Sequence, residues 1–151
     1  MLIKNKIIEI ETKKNYQIID VTDQAKEFIN ESTARNGQLL VFSQHTTFAI
    51  IINERESGIT ADSEEFFNSI LPKEKYYRHN DLEIRTENLV CSTDGKECLN
   101  GHSHLKHFLL GTSVTIPVIN GKMAFGTWQW ILAVELDCPK KRSIVLQFIG
   151  E

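Results

Sequence analysis

Apolar residues along this chain follow two periods. Ile7 to Glu11 and Tyr16 to Val21 alternate apolar with polar positions and are rich in β-branched side chains, the pattern of two strands. The polar stretch Thr12 to Asn15 between them predicts a hairpin. The period then changes: Val21, Ala25, Phe28 and Ile29 fall on one helical face, with Thr22 placed to cap the start and Gly37 to stop the end. Leu39 to Ser43 and Phe48 to Asn53 are strands apolar enough to be buried. A second helix follows from Ile59, Phe66, Phe67, Ile70 and Leu71, starting near Thr60 or Asp62 and stopped by Pro72.

Lys73 to Gly101 is polar and without a clear period. So long an irregular stretch in a compact domain suggests a lid or pocket wall. A short helix from about His104 to Leu110 ends at Gly111. Val114 to Ile119 and Lys122 to Phe125 then flank Asn120-Gly121, the signal for a type I′ hairpin turn. Pro117 cannot donate to a ladder, so its strand lies at an edge or carries a bulge. Trp128 to Asp137 and Ser143 to Ile149 complete the sheet. Strands outnumber helices and gather at the end, which predicts an α+β fold with two main helices and mostly antiparallel sheets.

The chain has 151 residues, enough for one domain with a sizeable core and no need of metal or disulfides to fold. With no repeat or linker, residues 1–151 are expected to be that single domain. Apolar residues make up 41% and the formal net charge is −3. Without a basic tract, nucleic-acid binding is not expected. No apolar run reaches the length of a membrane span and the first residues lack a signal-peptide core, so a cytoplasmic protein with no membrane partner is expected. Cys91, Cys98 and Cys138 are odd in number and form no CxxC pair. They read as free thiols, with a Cys91–Cys98 link as the alternative.

Three places carry candidate chemistry. In Gly101-His102-Ser103-His104-Leu105-Lys106-His107, an extended backbone would turn His102 and His104 to one side, where they could grip one metal. A helix would instead align His104 with His107, and hydrogen-bonded structural histidines fit as well. His45-Thr46-Thr47 follows a buried strand and suits phosphate or carboxylate binding, or it is a histidine capping a turn. Glu135 and Asp137 would share one face of a strand and must be solvated or meet histidines or a cation. Trp128 and Trp130 read as core or subunit-contact residues. P-loop, Rossmann, hydrolase-elbow and zincin motifs are all missing.

Ser43-Gln44-His45-Thr46-Thr47, Ile52-Asn53-Glu54, Tyr77-Arg78-His79-Asn80, Arg85-x-x-Asn88, Asn100-Gly101-His102-Ser103-His104, Ile116-Pro117-Val118 and Gly126-Thr127-Trp128-Gln129 with Glu135-x-Asp137 together resemble the ordered signature of the YjbQ family. The resemblance implies a β-sandwich-like α+β fold, a homotrimer and a secondary thiamine-phosphate synthase activity. That reaction joins a pyrimidine methyl diphosphate to a thiazole phosphate with loss of diphosphate. It would make His45, His104, Glu135 and Asp137 catalytic, and Thr46, Thr47, Asn53, Arg78, Arg85, Lys106, Thr127 and Gln129 substrate-binding. A divalent metal, zinc on His79, His102 and His104 or magnesium on the carboxylates, and a small phosphorylated or anionic partner complete the expectation. The stretch from Asp81 to Asn100 is longer than in the family's simpler branch. Competing readings are a metal-dependent hydrolase and a non-catalytic trimeric module that binds a small anion.

Overall fold

The computed structural model of the protein describes residues 1–33, 35–89 and 99–151. Its first strand, β1 (Leu2–Glu11), pairs antiparallel along its whole length with the last, β8 (Lys141–Gly150), from Leu2 opposite Gly150 to Glu11 opposite Lys141. The second strand, β2 (Gln17–Asp20), does not fold back on β1. It pairs with β7 (Trp130–Glu135), so the expected hairpin is replaced by a crossing between two sheets. The polar stretch makes this crossing because Thr12 is anchored: its N–H donates to the Lys140 carbonyl at 3.0 Å and its side chain is buried.

The larger sheet runs β1-β8-β3-β5-β6, with β3 (Gly37–Ser43), β5 (Ser113–Ile119) and β6 (Lys122–Met123), and the smaller runs β2-β7-β4, with β4 (Phe48–Asn53). All pairs are antiparallel, as an α+β fold requires. Asn120 and Gly121 both have positive φ, 51° and 77°, which gives the type I′ turn between β5 and β6. Pro117 is tolerated because β6 pairs only with Val118 and Ile119, leaving Pro117 beyond the ladder on that side.

Helix α1 (Thr22–Ser32) buries Ala25, Phe28 and Ile29 in the core formed with Leu39, Val41, Phe48, Ile131, Ile144 and Phe148. Its ends differ from expectation. The Asp20 carboxylate accepts the Thr22 N–H, while the Thr22 hydroxyl accepts from the Ile131 N–H and ties helix to strand. Thr33 in the left-handed conformation closes the helix, and Gly37 begins β3. Helix α2 (Ser57–Ile70) is capped by the Glu56 carboxylate, which accepts from Gly58 and Ile59. Of its apolar stripe only Phe67 is buried, and Phe66 remains 56% exposed. The stripe that marks α2 in the sequence therefore faces outward.

Helix α3 begins earlier than predicted, at Gly101, and ends at Leu110. Asn80 receives its first N–H at 2.8 Å. A Cβ at Gly101 would come 2.8 Å from the Tyr77 Cβ, so glycine permits the close approach of α3 to the preceding loop. No helix among the described residues is long and apolar enough to cross a membrane. Cys91 and Cys98 lie outside the described residues, and Cys138 is a free thiol.

Candidate functional site

Starting α3 at Gly101 decides which histidines meet. In a helix, His102 and His104 diverge by about 200°, so they do not face one side. His104 turns toward the 3₁₀ turn Arg78–Asn80, where its ring centroid lies 4.6 Å from that of His79.

A carboxamide orders this pair. Asn100 donates through Nδ2 to Asp137 at 3.0 Å, so its Oδ1 faces His79 Nε2 at 3.1 Å and can only accept. The same Nε2 lies 3.2 Å from Arg85 Nη1, which can only donate. The nitrogen serves one of them at a time: protonated it donates to Asn100, unprotonated it accepts from Arg85. Nε2 of His79 thus has a partner whether or not it carries a proton. Burial and then the neighbouring His79 push the His104 pKa down, keeping that imidazole neutral and able to accept a proton.

Arg85 is largely consumed by its own loop. It donates to the carbonyls of His79, Glu87 and Asn88 at 3.0 to 3.1 Å, so it shapes the loop more than it offers a free clamp. Arg78 is exposed and lines both cavities beside His79. One, of about 720 Å³, also presents Tyr76, His104, Leu105 and Phe108. The other, of about 480 Å³, presents Arg85, Thr86 and Asn88.

Glu135 belongs to a different arrangement. It is fully buried and bound side-on by Arg142, whose Nε donates to one carboxylate oxygen at 2.6 Å and whose Nη2 donates to the other. Thr12 donates to it at 2.9 Å, and the N–H groups of Leu136 and Asp137 at 3.1 and 3.0 Å. Thr47 accepts from Arg142 at 3.2 Å. Every lone pair facing the carboxylate's surroundings is thus occupied, as a buried charge demands. His45 stands beside this knot: its Nε2 accepts the Ser143 N–H at 2.8 Å, which places the proton on Nδ1. Burial, then the Arg142 charge, lower its pKa, opposed by Glu135. His45 is the turn-holding histidine, and Glu135 a structural anion.

Asp137 joins the two regions. Its backbone N–H is held by Glu135 while its carboxylate accepts from Asn100 and from Lys140, the latter at 2.9 Å. The two carboxylates do not face one ion. Thr46 is exposed beside His45. Asn53, Thr127 and Gln129 lie at the other end of β4 and β7, where Asn53 pairs with Trp130 and Gln129 accepts from the Gly126 N–H. Trp128 is exposed there, and Trp130 stacks under Arg55, whose guanidinium carbon is 4.0 Å from the ring centroid. Lys106, four residues after His102, lies with it on another face of α3 in a separate cavity. The set His79, His102 and His104 is therefore not assembled. Among the described residues no three of His, Cys, Asp and Glu come together as a metal set, so the residues present do not fit the expected ion. Arg142 and Asn100 escaped the sequence reading. Arg142 sits in Lys140-Lys141-Arg142-Ser143, between two expected strands, where no local pattern marks it as the partner of a buried carboxylate.

The model of the family described as UPF0047 protein YjbQ-like matches residues 6–151. The chain belongs to the YjbQ family. A UPF0047 protein of Archaeoglobus fulgidus is 38% identical over 140 residues, covering 93% of this chain and 97% of that one. UPF0047 protein YugU of Bacillus subtilis is 29% identical, covering 96% and 98%. Among solved structures, a YbjQ-like protein of unknown function from Sulfolobus solfataricus superposes with a TM-score of 0.85 at 31% identity, covering 99% of this chain and 98% of the other. These YjbQ relatives bear only the family designation or a statement of unknown function, and none of their names gives a thiamine-phosphate synthase activity. The expectation of that activity is corrected accordingly. The physical reason agrees: Glu135 is locked to Arg142, Arg85 is spent on its loop and Lys106 lies elsewhere, so the catalytic and substrate-binding residues implied by the resemblance do not come together.

Proposed function

We propose that the protein binds a small anionic molecule, bearing a phosphate or carboxylate, against His79 and His104 and exchanges a proton with it. The observation that carries this reading is the His79 ring, whose Nε2 has a partner in either protonation state, Asn100 or Arg85, with a neutral imidazole beside it. Such a pair suits general acid–base work because the His79 nitrogen itself keeps a partner whether or not it carries the proton. Arg78, exposed between the two cavities, supplies the charge for an anion. No step is assigned to a metal.

A homotrimer is part of the same reading. It is supported by the family resemblance and by the uncovered apolar side chains next to the histidines: Leu105, Phe108 and Leu109 on α3, and Tyr76. Light scattering is expected to give three times the chain mass. Ring-nitrogen NMR tests the ligand: titrating inorganic phosphate, then acetate, should shift the His79 and His104 nitrogens together and saturate. Unmoved histidine signals with either anion would overturn the reading.

A further inference from the structure

On the face of α3 turned away from His104 lies a cavity of about 350 Å³, lined among others by Tyr16, Glu64, Asn68, Lys73, Glu74 and Lys106. Lys106 is only 4% exposed, yet its ammonium makes a single hydrogen bond, 3.0 Å to the neutral Asn68 Oδ1. Among the described residues no carboxylate takes it as an ion pair. A buried ammonium without a contacting anion is costly, and lysine is the residue that answers such a site by giving up its proton. His102, one turn earlier on the same face, is also buried. Ser103 spends its hydroxyl proton on the Leu136 carbonyl, so its oxygen accepts from His102 Nε2. His102 Nε2 therefore carries a proton, burial lowers the pKa of the ring, and an imidazole gives Lys106 no anion in either state.

We infer that Lys106 is a carbonyl-reactive amine, and that this cavity takes a small aldehyde or ketone carrying a carboxylate. The neutral amine adds to the carbonyl carbon as the π pair moves to oxygen, and the two amine protons leave with that oxygen as water, giving an imine with no change in oxidation state. Lys73, in the wall of the cavity, supplies the cation for the substrate carboxylate. Glu64 and Glu74 are the carboxylates that face the amine without touching it. Burial lowers the Lys106 pKa, and these two only partly restore it, so a reactive fraction exists nearer neutrality than for an exposed lysine. Nothing in the His79–His104 reading depends on this site.

The test is reductive trapping on the full chain. Glyoxylate with cyanoborohydride, at concentrations that leave exposed lysines unmodified, should give one adduct per chain, mapped by peptide mass spectrometry to Lys106. Acetaldehyde, which lacks the carboxylate, should label at least tenfold more slowly. Asn68→Asp keeps the shape of the cavity but sets a counter-ion against the ammonium. It should slow labelling at least tenfold while circular dichroism stays unchanged. Adducts spread over exposed lysines with Lys106 unmodified, or an Asn68→Asp protein that labels as fast as the native one, would overturn the inference.

Discussion

Two polar clusters meet at Asp137, and they solve the burial of charge in opposite ways. Around Glu135 every acceptor is matched: Arg142, Thr12 and two backbone N–H groups close on a carboxylate with no exposure. Around His79 the matching is incomplete by construction, since one ring nitrogen faces an acceptor and a donor at once. The first arrangement has one set of partners and one geometry. The second offers a single nitrogen two alternative partners. A fully satisfied network holds the fold and resists chemistry, whereas an ambiguous one at a cavity mouth is fit for proton transfer.

The strongest way to break this comparison is to remove one half of the satisfied pair. Glu135→Ala leaves Arg142 buried without its anion and should cost about 3–5 kcal/mol of stability, read by urea unfolding. A loss below about 1 kcal/mol would mean that the knot is not structural. His104→Ala should do the reverse. It should change stability by no more than about 1 kcal/mol and weaken phosphate binding tenfold or more, about 1.4 kcal/mol, measured by titration calorimetry.

Acid should sharpen the contrast. The pKa values of His45, His102, His104 and His107 all lie below the usual imidazole value, with burial the leading cause in each. Folded histidines then bind protons less readily than unfolded ones. Their contribution to stability is whole above the unfolded pKa of about 6.5 and is lost as pH falls from there through the folded values. Urea midpoints measured between pH 7.5 and 5 should decline steadily. His45→Gln, which removes one of the four, should flatten the decline.

The smallest effect belongs to the exposed counterpart of the buried pair. Lys6 and Glu31 lie 2.9 Å apart, but their side chains are 35% and 54% exposed. Water already solvates both charges, so Lys6→Ala should leave the unfolding midpoint within experimental error. A clear drop would show that contact distance, rather than burial, ranks these pairs.

Much of the fold was legible because its signals are short-range. Asn120-Gly121 needs only its own backbone to adopt positive φ, and β4 and α1 follow from side chains a few residues apart. The same locality misled at β1 and β2, which read as a hairpin because they are adjacent. Whether neighbours pair or cross to another sheet depends on β8 and β7, more than a hundred residues away. Resemblance identified His79, His104 and Asp137 as site residues, but not Asn100 as the group that orients them.

The sequence by itself determined the α+β class, the family and most strand positions, since period, turn chemistry and motif order are written in consecutive residues. Only the tertiary structure decided that Glu135 is bound to Arg142, that His102 leaves His104 for the other side of α3, and that Lys106 is buried without an anion. The partner of a buried charge is chosen by register and packing between distant segments. No local pattern encodes that choice, because the cost of an unpaired charge arises only once water has been excluded.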